Sequence, residues 1–167
     1  MKNDYTKGWM AAAGLMILIV FGLAAHASML SRTPAAIYPA ALNYLTNVER
    51  IKSGELALKE NPLLDVAAKA KAEDMVARNY FAHISPDGKT PWYWFNQVGY
   101  PYLYAGENLA VHYSDSGQVT AAWMNSVTHK ANILKQNYTE IGTAVATGTW
   151  NGLPSVYVVQ LYASPRP

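Results

Sequence analysis

Two runs of β-branched and aromatic residues near the C-terminus, Ile141 to Thr149 and Ser155 to Tyr162, are divided by Trp150-Asn151-Gly152. An Asn-Gly pair is a strong signal for a tight hairpin, so these runs are expected to pair as antiparallel strands. Most of what precedes them is patterned as helix. From Ala36, apolar residues at Ile37, Ala41, Leu42, Leu45, Val48 and Ile51 recur at helical spacing until Gly54. Asn61-Pro62 supplies an N-cap followed by proline at the first helical position. The helix it opens runs to about Asn79, and its frequent alanines predict close packing of one face. Thr90-Pro91 opens a short aromatic helix through Trp92, Trp94 and Phe95 to Gly99. Ser116 or Gly117 begins another, and Ser126 caps a last one ending near Leu134. Helices first and an antiparallel hairpin last give an α+β class.

The chain has 167 residues, which suits one domain with a sizeable core. It contains no cysteine, so a disulfide framework and a thiolate metal site are both excluded and packing alone must hold the fold. A net charge of +2 with 14% charged residues leaves no basic tract, and nucleic acid is not an expected partner.

The N-terminus sets the expected location. Lys2 and Lys7 precede an uncharged stretch from Gly8 to Ser31, almost wholly apolar from Trp9 to Ala25. A secretory signal would have an apolar region of about 7–15 residues and a small-residue cleavage site, for which Ala25-His26-Ala27 qualifies. A membrane anchor needs about 20 apolar residues, which residues 9–30 supply. The length favours an uncleaved anchor, with secretion after cleavage near Ala27 as the alternative. In either case the lysines keep the N-terminus cytoplasmic and the remainder emerges on the far side. The expected organisation is a signal-anchor helix in residues 1–31, a linker in 32–40 and a domain in 41–163.

The chemistry-bearing residues lie in short polar motifs: His83-Ile84-Ser85-Pro86-Asp87-Gly88, Gly106-Glu107-Asn108-Leu109-Ala110, Trp123-Met124-Asn125-Ser126 leading to His129 and Asn132, and Tyr138-Thr139-Glu140-Ile141-Gly142. The histidines are too far apart in sequence for a helical metal pair of the HExxH kind. Turns and helix starts are where such side chains are expected to converge on a cleft, and Ser85-Pro86-Asp87-Gly88 has the residues of a tight turn.

In order and wording these motifs resemble the CAP superfamily (cysteine-rich secretory proteins, antigen 5 and pathogenesis-related 1; the SCP domain), and most closely its cysteine-poor prokaryotic branch. The resemblance runs from about Ala41 to Tyr162. It implies a three-layer α-β-α sandwich around a small antiparallel sheet, here preceded by the N-terminal hydrophobic helix. It also implies a cleft with two histidines and two acids, in which some members bind a divalent ion such as zinc through the histidines. Carried over by motif, the histidines are His83 and His129 and the first acid is Glu107. The place of the second acid is taken by Ser126, which puts a two-carboxylate mechanism in doubt.

If Ser126 caps its helix, His129 stands in the first turn, where the helix dipole disfavours the imidazolium and favours the neutral, metal-ligating form. An open zinc site wants about three protein ligands and a water, and the histidines are two. Glu107 is then either the third ligand or the carboxylate that orients a histidine from behind. His112 is expected on the surface, while Asn108, Asn132 and Glu140 suit structural roles in loops. Tyr100, Tyr102, Tyr104 and Tyr113 could wall the cleft or cover the sheet.

Three functions are compatible with these residues. The first is an exported or membrane-tethered binding module whose cleft holds a divalent metal, zinc for preference, or a small ligand at the cell envelope. The second is a hydrolase of peptide or cell-wall material using Glu107, His83 and His129 as catalytic groups. The third is a lipid-binding module, permitted by the aromatic loops. The expected partners are the membrane, through the N-terminal helix, and an unidentified small molecule, lipid or envelope component.

Overall fold

A computed structural model of the chain describes residues 36–167, and the expected signal-anchor segment lies outside them. Among the described residues no helix is long and apolar enough to cross a membrane. The elements in chain order are α1 (Pro39–Lys52), β1 (Lys59–Glu60), α2 (Pro62–Ala77), α3 (Pro91–Gln97), β2 (Tyr102–Ala110), α4 (Ser116–Asn125), α5 (Val127–Ile133), β3 (Glu140–Trp150) and β4 (Leu153–Pro165).

Proline at the first helical positions sets the start of α1, α2 and α3, because its missing N–H is an orphan there in any case. Asn61 caps α2 as its sequence suggests, its side-chain oxygen accepting from Leu63 N at 2.9 Å. The helix expected from Ala36 begins only at Pro39, since a residue before proline is pushed out of the helical region. Asn151 and Gly152 both have positive φ, +50° and +78°, which gives the twist that closes the β3–β4 hairpin.

The sheet order is β1-β3-β4-β2. β3 and β2 both pair antiparallel with β4, whereas β1 pairs parallel with β3. The sheet is therefore mixed at one edge. Strand β2 departs further from the sequence reading. The Gly106-Glu107-Asn108 motif lies inside a strand, with Glu107 opposite Leu161 and Asn108 opposite Gln160, and not in a turn or at a helix start.

Alternation along β4 separates two cores. Tyr157, Val159, Leu161 and Ala163 face α2 and α3 together with Leu64, Ala67, Ala68, Ala72, Met75 and Phe95. Val158 and Tyr162 face the other way, toward α1, α4 and α5, with Leu42, Val119, Trp123 and Ile133. This is the expected three-layer α-β-α sandwich. The alanines of α2 let it lie close on β3, where Gly142 sits against Leu64 and the amide of Asp65. The Asp65 carboxylate accepts from Thr143 N at 2.9 Å and fixes that approach.

Candidate functional site

Glu107 stands mid-strand in β2, its side chain turned to the α2 face and 2% exposed. His83 comes to it from the loop between α2 and α3. That loop is held by its own turn: Gly88 N donates to Ser85 O at 2.9 Å. The Asp87 carboxylate accepts from Ser85 Oγ, Arg78 Nη1 (2.7 Å) and Lys89 Nζ (3.0 Å). His83 Nδ1 then donates to Glu107 Oε1 at 2.6 Å. The other carboxylate oxygen, Oε2, is buried and makes no hydrogen bond to any described residue.

Behind the pair lies a residue the motifs did not point to. Lys71 on α2 is fully buried. Its ammonium donates to the carbonyl of His83 at 2.8 Å and lies 5.2 Å from the Tyr80 ring centre and 5.9 Å from that of Trp94. Burial lowers its pKa, and the fields of Glu107 and then Asp74 oppose that fall. A lysine costs free energy in such a place unless something requires its charge; here it feels the field of the Glu107 carboxylate and holds the His83 turn. The sequence does carry a sign of it, because Leu64, Ala67, Ala68, Ala72 and Met75 are the buried face of α2 and Lys71 falls on that face.

His129 lies in the first turn of α5, as expected. The backbone of Ser126 takes the N-cap position, but its hydroxyl makes no cap bond. It bonds His129 Nδ1 at 2.9 Å instead. The His129 ring stands 6.4 Å from that of Trp123. Burial lowers the His129 pKa, with the nearby His83 adding to the effect, so the imidazole is biased to its neutral form. His83 goes the other way: its bond to Glu107 raises its pKa, against the opposing effects of burial and Lys71.

Two asparagines join these parts. Asn132 Nδ2 donates to Glu107 O at 3.0 Å and to Asn108 Oδ1 at 2.9 Å. Asn108 Nδ2 donates to His129 O and to Tyr162 Oη, both at 3.1 Å. Strand β2 and helix α5 are thus locked together through side-chain amides; Asn108 and Asn132 are structural as expected, but act from a strand and a helix and not from loops. Glu140 is structural too, its Oε2 accepting from Asn61 Nδ2 at 2.7 Å and Tyr100 Oη at 2.6 Å. Tyr102 packs on the α2-side core and Tyr113 on the other, while Tyr104 remains partly exposed. His112 is exposed, at φ +67°, with Nδ1 3.1 Å from Ser155 Oγ, and takes no part in the cleft.

The cleft itself is about 470 Å³ and is lined by His83, Ile84, Trp92, Glu107, Asn132 and Lys135, among others. Among the described residues no three His, Asp or Glu side chains are grouped closely enough to hold an ion together. The donors fit a sparser arrangement. Each imidazole has Nδ1 engaged, by Glu107 at His83 and by Ser126 at His129, which leaves Nε2 as the atom that would meet an ion in each case. Glu107 stands behind His83 in the orienting position typical of carboxylates around metal-bound histidines. When bound there, a divalent ion would supply Lewis acidity at the cleft mouth.

The sign of the His83 shift gives a pH expectation. A raised folded pKa means that the His83–Glu107 interaction contributes fully below the ordinary histidine value near 6.5 and fades as pH rises through the folded value. In an NMR titration His83 should titrate above an ordinary histidine and His129 below it. Glu107→Gln should move the His83 midpoint down, and an unmoved midpoint would mean that the pair does not form in solution.

Comparison with known proteins agrees with this fold. The family model of the cysteine-rich secretory proteins, CAP, matches residues 44–162. The Bacillus subtilis protein YkwD is 43% identical over 98 residues, which cover 59% of this chain and 38% of YkwD. The B. subtilis membrane protein YlbC is 34% identical over 102 residues, covering 60% of this chain and 29% of YlbC. A crystal structure of an extracellular SCP-domain protein from Bacillus anthracis superposes with a TM-score of 0.65 at 26% identity, over 75% of this chain and 39% of that one. The chain thus spans well under half the length of these relatives. It belongs to the CAP family, the cysteine-rich secretory proteins, as a member that contains no cysteine.

Proposed function

We propose that this chain is an extracytoplasmic binding domain of the cell envelope, whose cleft takes a divalent metal, zinc for preference, between His83 and His129. The observation that carries the reading is the 2.6 Å contact of His83 Nδ1 with a Glu107 carboxylate that is itself almost wholly buried. A carboxylate held in that place has an orienting function that a surface ion pair would not need. The site is two-coordinate from the protein and therefore exchangeable, unlike a closed structural zinc. For the location, support comes from the apolar N-terminal stretch, from the membrane protein YlbC and from the extracellular SCP-domain protein of B. anthracis. Calorimetric titration with zinc should give about one site per chain in the wild type, weakened by roughly 10- to 100-fold in Glu107→Gln. No uptake by the wild type would end this reading.

One observation favours a hydrolytic second reading. With Glu107 holding its Nδ1–H, His83 is oriented to accept a proton at Nε2 from a water in the cleft. The buried carboxylate would then stabilise the imidazolium that forms. Glu107 would act through His83, because at 2% exposure its own oxygens do not reach the cleft water. Turnover of a defined peptide or cell-wall fragment by the wild type, lost in Glu107→Gln, separates this reading from binding alone.

A further inference from the structure

Part of the cleft wall is used neither by the histidines nor by Glu107. Lys135, just past α5, has its carbonyl fixed by Arg50 Nη1 at 2.9 Å. Its ammonium lies 5.1 Å from the Tyr138 ring centre and 5.8 Å from that of Tyr104. Those contacts hold the cation at the wall of the cleft. It makes no ion pair with any described residue. Beside it the cleft is apolar: Ile84, Pro91, Trp92 and Ala105 line it. Trp92 is 37% exposed although its ring is braced at 5.9 Å by Tyr102 and at 6.0 Å by Phe95.

The charge balance sets the sign of what could enter. The Glu107 carboxylate is buried beside the cleft, and the charge of the buried Lys71, which acts on it through space, offsets it. Lys135 then leaves the cleft a net acceptor of negative charge. A single ammonium, with no guanidinium on the wall, suits a monoanion better than a phosphate, which is typically met by several donors. The volume, about 470 Å³, is that of a small-ligand site.

We infer that the cleft recognises a small carboxylate carrying an apolar group, such as the C-terminal residue of a peptide, with Lys135 as the counter-charge and Trp92 and Ile84 as the apolar seat. The inference rests on the cleft being a ligand site, and it adds the class of ligand.

The test uses chelator-treated protein, so that no metal can bind the carboxylate. N-acetyl-leucine and its uncharged amide are titrated separately while the Trp92 indole and Asn132 side-chain amide signals are followed by NMR. The acid should bind at about millimolar strength, as expected of a fragment, and the amide about tenfold more weakly. Lys135→Met should erase that difference, and Lys135→Gln, a more conservative change at this exposed position, should do the same. Equal binding of acid and amide by the wild type, or a preference that survives both variants, would overturn the inference. Failure of the acid to bind protein that still takes up zinc would overturn it too, while leaving the metal reading intact.

Discussion

Arg50→Met is expected to destabilise the domain by roughly 3 kcal/mol, because it strips donors from three backbone carbonyls at once. Arg50 is only 1% exposed. Its Nε donates to Leu56 O at 2.7 Å, and its Nη1 to Ile133 O at 2.7 Å and Lys135 O at 2.9 Å. These bonds close the end of α5 and tie it to α1 and to the loop before β1. Methionine fills much of the same volume without offering a donor, so the loss is one of hydrogen bonding and not of packing. Urea unfolding should register it directly, and the melting temperature should fall by about 10 °C. The same change should loosen α5, and with it the seat of His129. An unchanged unfolding midpoint would mean that water replaces the guanidinium without cost.

The second large effect is expected where α2 meets the sheet. Gly142→Val should destabilise by about 3 kcal/mol or more, at the upper end of overpacking costs. Even a Cβ at this position would overlap the carbonyl carbon and Cβ of Leu64 and the amide of Asp65. Backbone atoms of a helix cannot turn aside as a side-chain tip can. α2 would have to lift from β3, giving up the Asp65–Thr143 bond and the packing of Ala67, Ala68 and Met75. Gly148 provides the control, since the atoms nearest to an added Cβ there belong to the side chain of Val76. Gly148→Ala should therefore cost much less than Gly142→Val in the same unfolding experiment. Equal costs would place the close contact elsewhere.

Much of this architecture is legible in the sequence wherever one residue type has a local duty. Asn61-Pro62 starts α2, Asn151-Gly152 turns the hairpin and Ser85-Pro86-Asp87-Gly88 turns the loop that carries His83, each through backbone preferences that act within a few residues. Strand β2 was not legible, because its Glu107 and Asn108 are buried polar residues where a strand pattern would alternate apolar and polar. They are buried because His83, Asn132 and Tyr162 meet them from other elements, and those partners are invisible in a local pattern. The parallel β1 strand is only two residues long, set by pairing with β3 and not by its own composition.

The site divides along the same line. His83, Glu107 and His129 could be named from their motifs, and Ser126 from its place before His129. That the Ser126 hydroxyl bonds the His129 ring and not the helix amides depends on where the ring settles against Trp123. Lys71 escaped because lysine in a helix reads as a solvated charge. Its position among the alanines on the buried face of α2 was the available clue.

The most direct test of the central claim is the metal content of the protein purified without a nickel step, compared with His83→Ala and His129→Ala. Dialysed to equilibrium against zinc, the wild type is expected to hold about one ion per chain above the bath, and both variants none, with their folds intact. Zinc retained in either variant, or absent from the wild type, would contradict the claim.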